Sequence, residues 1–200
     1  MKKLWLVICA GLLLAACGGS GTSTDTGSSS GAGGAQKLEL KADGKDSTME
    51  VKSGVMQVTA QDHSNPEYQA AIFNFTLANY ELKTNGDLAR TLTKPEETRV
   101  YFKLYGDKGT DKNAPLKPGT YKADAKSFPM YDPTSLAIIG SADGKQTVAL
   151  SQNSPANDTK GEVKITSVEG DTVKGEINIM TGSSIAAKGS FTAKIKPIGF

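Results

Sequence analysis

GEVKITSVEGDTVKGEINIMT, Gly161–Thr181, carries the pattern that decides the fold. Val163 and Ile165 occupy odd positions before a Glu-Gly-Asp turn signal, and Val173, Ile177 and Ile179 occupy odd positions after it. Alternation at a period of two is the mark of a strand with one apolar face. If the two strands pair as a hairpin with both apolar sets on one face, residues opposite each other must have numbers with an even sum, which demands an odd loop. A three-residue loop, Val168-Glu169-Gly170, meets that demand and sets Ile165 opposite Val173. Gly170 then falls where a type I turn with a bulge wants positive φ.

The same test on Ser135–Gln152 uses Leu136 and Ile138 before the turn, and Val148 and Leu150 after it. A loop of Ala142-Asp143-Gly144 pairs Ile138 with Val148 and Leu136 with Leu150. Beyond these hairpins, Gly189–Ile195 continues the odd set with Phe191, Ala193 and Ile195, and is expected to pair with Thr172–Met180. Upstream, Ala71–Tyr80 alternates Phe73, Phe75 and Leu77, and Thr98–Tyr105 alternates Val100, Phe102 and Leu104. Shorter strands are expected at Leu38–Leu40, Thr48–Lys52, Val55–Ala60 and Thr120–Ala123, and one turn of helix at Asn65–Tyr68. Glycines open three alternating runs at Gly161, Gly175 and Gly189, which suggests successive strands with glycine at one rim. Short strands broken by turn residues every eight to twelve positions predict an all-β fold, an antiparallel β-sandwich of nine or ten strands, with a β-barrel as the alternative.

The other end of the chain has a different grammar. Lys2 and Lys3 precede an apolar run, Leu4–Ala16, of 13 residues. A helix that spans a bilayer needs roughly 17–25 residues, so this run is an export signal by length and flanks. Leu14-Ala15-Ala16-Cys17 resembles the lipobox of bacterial lipoproteins: Leu, two small residues and Cys. The resemblance implies removal of residues 1–16, a diacylglycerol on the Cys17 thiol and further acylation, such as palmitate, on its new amino group. It also implies a lipid-anchored place at the cell envelope, and Gly18 after the Cys favours the outer membrane over retention at the inner one. Two or three acyl chains give essentially permanent residence.

Residues 17–35 read as the lipidated Cys and a tether of Gly, Ser, Thr and Ala with one charge, Asp25. Such a stretch lacks the apolar surface to offset its ordering entropy. Residues 36–200 are then expected to form a single all-β domain.

Removal of the leader leaves 21 basic against 21 acidic side chains, so no basic excess points to nucleic acid. Cys17 is the last cysteine, which leaves the domain without a disulfide or a thiolate metal site. His63 is the sole histidine, so no catalytic triad and no histidine metal cluster can be assembled. No Ser stands in a Gly-x-Ser-x-Gly elbow. Glu96-Glu97 would point to opposite sides of a strand and read as solvated. Asp107-Lys108-Gly109-Thr110-Asp111 lacks the closing Glu of a calcium loop and reads as a turn.

No metal, cofactor or catalytic residue is therefore expected, and the chain reads as a non-enzymatic binding or scaffolding protein. A small-ligand carrier with a barrel cavity is the alternative. Binding is expected at Tyr101, Tyr105, Phe128 and Tyr131, since tyrosine offers an apolar face with a hydrogen-bonding tip. The expected partners are the membrane, through the lipid on Cys17, and an envelope protein or glycan.

Overall fold

A computed structural model describes residues 36–61, 69–122, 137–142, 145–150 and 159–200. Its strands run in chain order as β1 Lys37–Ala42, β2 Lys45–Glu50, β3 Ser53–Gln61, β4 Ala70–Ala78, β5 Thr98–Tyr105, β6 Gly119–Lys122, β7 Ala137–Ala142, β8 Lys145–Leu150, β9 Thr159–Glu169, β10 Thr172–Thr181 and β11 Ile185–Ile195. A five-residue helix, α1, covers Asn85–Ala89 between β4 and β5. Among the described residues there are eleven strands against the nine or ten expected, one for each of the segments named above. The helical turn expected at Asn65–Tyr68 lies outside the described residues.

The hydrogen-bonded order is β6-β9-β10-β11-β3-β4-β5-β7-β8, with β1 on β11 and β2 on β1. All pairings are antiparallel except that of β11 with β3, where Lys194 meets Val55 and Ile195 meets Met56. One side of β11 pairs with β10 along its whole length. Its other side is divided: Ala186–Gly189 bond β1, and the far end bonds β3. That division turns one continuous sheet into two facing layers, β6-β9-β10-β11-β1-β2 and β3-β4-β5-β7-β8.

The aromatic core shows the fold-over. Phe102 on β5 and Phe191 on β11 are three strand spacings apart along the sheet, about 14 Å if it were flat. Their ring centroids are 5.4 Å apart, edge to face, and Phe191 makes a similar 5.5 Å contact with Phe75. Phe75 and Phe102, register partners on β4 and β5, stack at 4.7 Å. Around these rings one buried cluster takes Leu38, Met56, Val163, Ile165, Ile177 and Ile179 from both layers. Among the described residues no pairing joins β2, β6 or β8 to another edge, so the sheet is open and the barrel alternative is set aside.

In the β9–β10 hairpin, Ile165 lies opposite Gly175 and not Val173, whose partner is Val168; beyond the bulge, where Val163 meets Ile177, the sums are even, and Val163, Ile165, Val173, Ile177 and Ile179 are all buried. The loop, however, is shorter than expected. Glu169 pairs with Thr172, leaving Gly170 and Asp171 as the turn, and the odd residue sits inside β9, where Thr166 bulges between the Ser167–Lys174 and Ile165–Gly175 pairs. Gly170 has φ of 58° while Asp171 stays at negative φ, the pattern of a II′ turn. A turn that matches the strand twist is thus kept, and a bulge restores parity two pairs further on.

The β7–β8 hairpin departs from expectation more sharply. Ala142 pairs with Lys145 and Ile139 with Val148, so two residues connect the strands and no bulge intervenes. Ile138 is buried, but Val148 lies on the outer face at 43 % exposure. Asp143-Gly144 is a dipeptide suited to a two-residue loop, and that local preference outweighs burial of Val148. Leu136 lies outside the described residues.

The last strand pairs with β10 as expected, with Phe191 opposite Gly175 and Ala187 opposite Ile179. The three glycines do not share a rim. Gly161, Gly175 and Gly189 lie at three different levels of the sheet, at Ile179, Gly175 and Ile177 along β10, each directly beside a buried Ile or Phe. At Gly175 a methyl group would stand 2.7 Å from both the Lys164 carbonyl oxygen and Phe191 Cζ. The missing side chain is what lets the Phe191 ring lie across β10.

Candidate functional site

On β5, the residues between the core positions point away from the facing layer. They include Tyr101 and Tyr105, both half-buried. The Tyr101 hydroxyl donates to Asn74 Oδ1 at 2.7 Å. Asn74 Nδ2 in turn donates to Thr59 Oγ1 at 2.9 Å and approaches the carbonyls of Ile72 at 3.3 Å and Gln57 at 3.4 Å. The Lys103 ammonium stands 6.0 Å from the Tyr101 ring. A strand-borne network therefore holds the Tyr101 ring in one orientation, on a rigid sheet rather than a loop. Tyr105, opposite Ile72, lies on the same face about 13 Å further along β5.

Other aromatics from the same stretch have different places. Phe102 is in the core, and Tyr121 packs against it while its hydroxyl donates to the Lys117 carbonyl at 2.9 Å. Burial pushes the Tyr121 hydroxyl above its ordinary range. Phe128, Tyr131, His63 and the entire Met1–Ala35 stretch, Cys17 included, lie outside the described residues. Tyr101 and Tyr105 are thus the two described members of the expected binding set.

The most concentrated polar chemistry lies elsewhere, in the connection from β4 to β5, and it overturns the reading of Glu96-Glu97 as a solvated pair. Glu96 is exposed in the left-handed region at φ of 64°, which turns the chain so that Glu97 points inward at 8 % exposure. Arg90 meets it with two hydrogen bonds, Nη1 to Oε2 at 2.9 Å and Nη2 to Oε1 at 2.7 Å. The same guanidinium lies 4.3 Å over the Tyr80 ring. Arg99, buried at 4 % exposure, donates to the carbonyls of Asp87 at 2.9 Å and Arg90 at 3.3 Å, and reaches the Tyr80 hydroxyl at 3.4 Å. It thereby covers carbonyls at the end of α1 that no further helical turn would satisfy.

The electrostatics follow from this geometry. Arg90's hydrogen bonds hold the Glu97 carboxyl below the usual range, and Glu97 raises Arg90 in return. Burial pushes the Tyr80 hydroxyl up, against the pull of Arg99 and Arg90. Asp87 is lowered by the backbone N–H groups of Thr84 and Lys83, which donate to its Oδ2 at 2.8 and 2.9 Å. These charges fasten the connection over the outer face of β3 and β4, above a second apolar cluster of Val55, Ala78 and Leu82 with Tyr80, Leu88 and Phe200. The available signal in the sequence was that its two arginines, Arg90 and Arg99, flank this one stretch.

Asp107–Asp111 forms the expected turn. Thr110 N–H donates to the Asp107 carbonyl at 3.2 Å, Asp111 accepts from Asn113, and the Asp107 carboxylate pairs with Lys117 at 2.9 Å. Behind that ion pair a cavity of about 100 Å³ is floored by Phe73, Ala114 and Tyr121. A shallow groove of about 660 Å³ crosses the outer face of β1, β2, β10 and β11, between Lys41, Asp46, Thr48, Asn178, Met180 and Lys188. Among the described residues no group of three His, Cys, Asp or Glu side chains is placed to hold a metal ion, and no helix is long and apolar enough to cross a membrane. Compared with protein-family models, curated proteins and solved structures, the chain shows no match.

Proposed function

We propose that this chain is an exported lipoprotein, fixed to the cell envelope by a lipid on Cys17, whose β-sandwich binds or scaffolds an envelope protein or glycan without catalysing a reaction. The observation that carries the reading is the order of the first residues: Lys2-Lys3, a short apolar run, then Leu14-Ala15-Ala16-Cys17 ahead of a Gly, Ser and Thr tether. In this reading the anchor lies in the outer membrane, and the tether has a mean reach of roughly 20–25 Å.

The sheet supports a binding role because it offers rigidly held polar and aromatic groups, Tyr101 with Asn74 and then Tyr105, on a face turned away from the core. Phe128 and Tyr131 are assigned to the same binding role from the sequence.

Growth of the producing bacterium with labelled palmitate tests the anchor: label and membrane fractionation are expected for the natural chain and loss of both for Cys17→Ala. A Cys17→Ala product that still fractionates with the membrane and carries label would refute it. For the binding role, capture from envelope extract is expected to enrich one partner and to lose it in Tyr105→Ala or Tyr131→Ala. Turnover of an envelope substrate by the purified chain would overturn the non-enzymatic reading.

A further inference from the structure

Three strands end the sheet among the described residues, and they differ in how they meet solvent. β2 exposes Lys45, Asp46 and Glu50 and buries its one large apolar residue, Met49. β6 has four residues and follows Pro118, whose missing N–H discourages extension of the strand. Charge, shortness and proline are the usual protections of a free edge. β8 has none of them beyond Lys145 at its first position, and Lys145 through Val148 are all exposed. It is also held in place: Gln146 Oε1 accepts from the backbone N–H of buried Leu92 at 2.9 Å, and Thr147 Oγ1 reaches the Gly140 carbonyl at 3.4 Å.

We propose that β8 is a self-association edge, at which a second copy of this chain adds its own β8 antiparallel about a two-fold axis. The occupant follows from the strand's pattern. In a register centred on Val148, each Val148 adjoins its symmetry mate, Thr147 falls opposite Ala149, and Gln146 opposite Leu150. Both Lys145 residues lie beyond the paired stretch, so no like charges oppose each other, and the two exposed valines form a cross-strand pair. An isologous contact of this type closes as a dimer and leaves no further edge of the same kind. The two sheets become one, continuous through the two β8 strands.

The test uses the chain from Gly18 onward, which keeps every described residue. Light scattering across a dilution series is expected to give a concentration-dependent dimer, and Val148→Lys to weaken it about tenfold or more while the melting curve of the dilute protein stays unchanged. Under mild oxidation Val148→Cys is expected to form a disulfide-linked dimer rapidly, and the control Thr48→Cys on β2 to stay monomeric. A monomer at every concentration overturns the proposal, as it would if another segment of the chain covered β8. So does a dimer indifferent to Val148→Lys, or equal cross-linking at both strands.

Discussion

The two hairpins, β9–β10 and β7–β8, present the same problem to the folding chain and resolve it differently. Each has a two-residue connection, and each carries apolar residues whose numbering calls for an odd one. β9 absorbs the discrepancy with a bulge at Thr166 and buries every large apolar residue on the odd side. β8 has no bulge, and Val148 faces solvent. The difference lies in what is at stake. Val163 and Ile165 together are worth roughly 3–6 kcal/mol of burial, more than a local distortion of the ladder costs. At β8 the described apolar residue left outside is Val148. Parity thus wins where a row of core residues on both strands depends on it, and turn preference wins at β8.

Deletion of Thr166 is the most direct test of this contrast. Without the extra residue Ser167 follows Ile165 directly, the Ile165–Gly175 and Val163–Ile177 pairs and the Gly170-Asp171 turn are all kept, and the stability change is expected to stay within about 1 kcal/mol. Chemical denaturation of the deletion variant checks it, and a loss of about 3–6 kcal/mol, the burial of Val163 and Ile165 together, would mean that the bulge does more than absorb one residue.

The largest effect is expected of Ile177→Ala, at the centre of the buried row Val163, Ile177 and Gly189. The expected loss is about 2–5 kcal/mol, read as a shift in the denaturation midpoint at unchanged slope. A loss under about 1 kcal/mol would place this row outside the main core.

A smaller effect sharpens the other side. Arg90 and Glu97 hold the segment whose Leu92 N–H donates to Gln146 on β8, so Glu97→Gln is expected to cost about 1–3 kcal/mol and to loosen β8 before β10. Faster amide exchange at Gln146 and Thr147 than at Ile177 is the readout. The carboxyl is held below its ordinary value of 4.5 in the folded chain. Its contribution is therefore present above that value and declines as pH falls through the lower folded pKa. The natural chain should lose stability in acid over that window, and Glu97→Gln should lose less.

Much of the sheet could be read directly because alternation is a local property. Phe73, Phe75 and Leu77, or Val100, Phe102 and Leu104, announce both strand and face without reference to a partner. Register is not local in this sense. Where the odd residue of β9 sits depends on what β10 places opposite, and Thr166 carries no mark of a bulge. The buried polar cluster was hidden for a related reason. Glu97 follows Glu96 and looks solvated, and only the left-handed turn at Glu96 aims it at Arg90. α1, five residues long, is too short to leave a periodic trace. Of the residues expected to bind, Tyr101 and Tyr105 could be recognised as outward-facing from their alternation with Phe102 and Leu104, whereas the support from Asn74 needs the β4–β5 register.

The divided edge of β11 also dictates a timetable. β1 is among the first segments of the domain to be synthesised, yet the strand it pairs with in the main sheet lies roughly 150 residues later in the chain. β3 waits similarly for the same strand. Neither layer has all of its strands paired until β11 is available, so both stay incomplete until that strand has been synthesised. Completion of the fold is then a late, slow and cooperative event, triggered by the arrival of one strand that serves both layers.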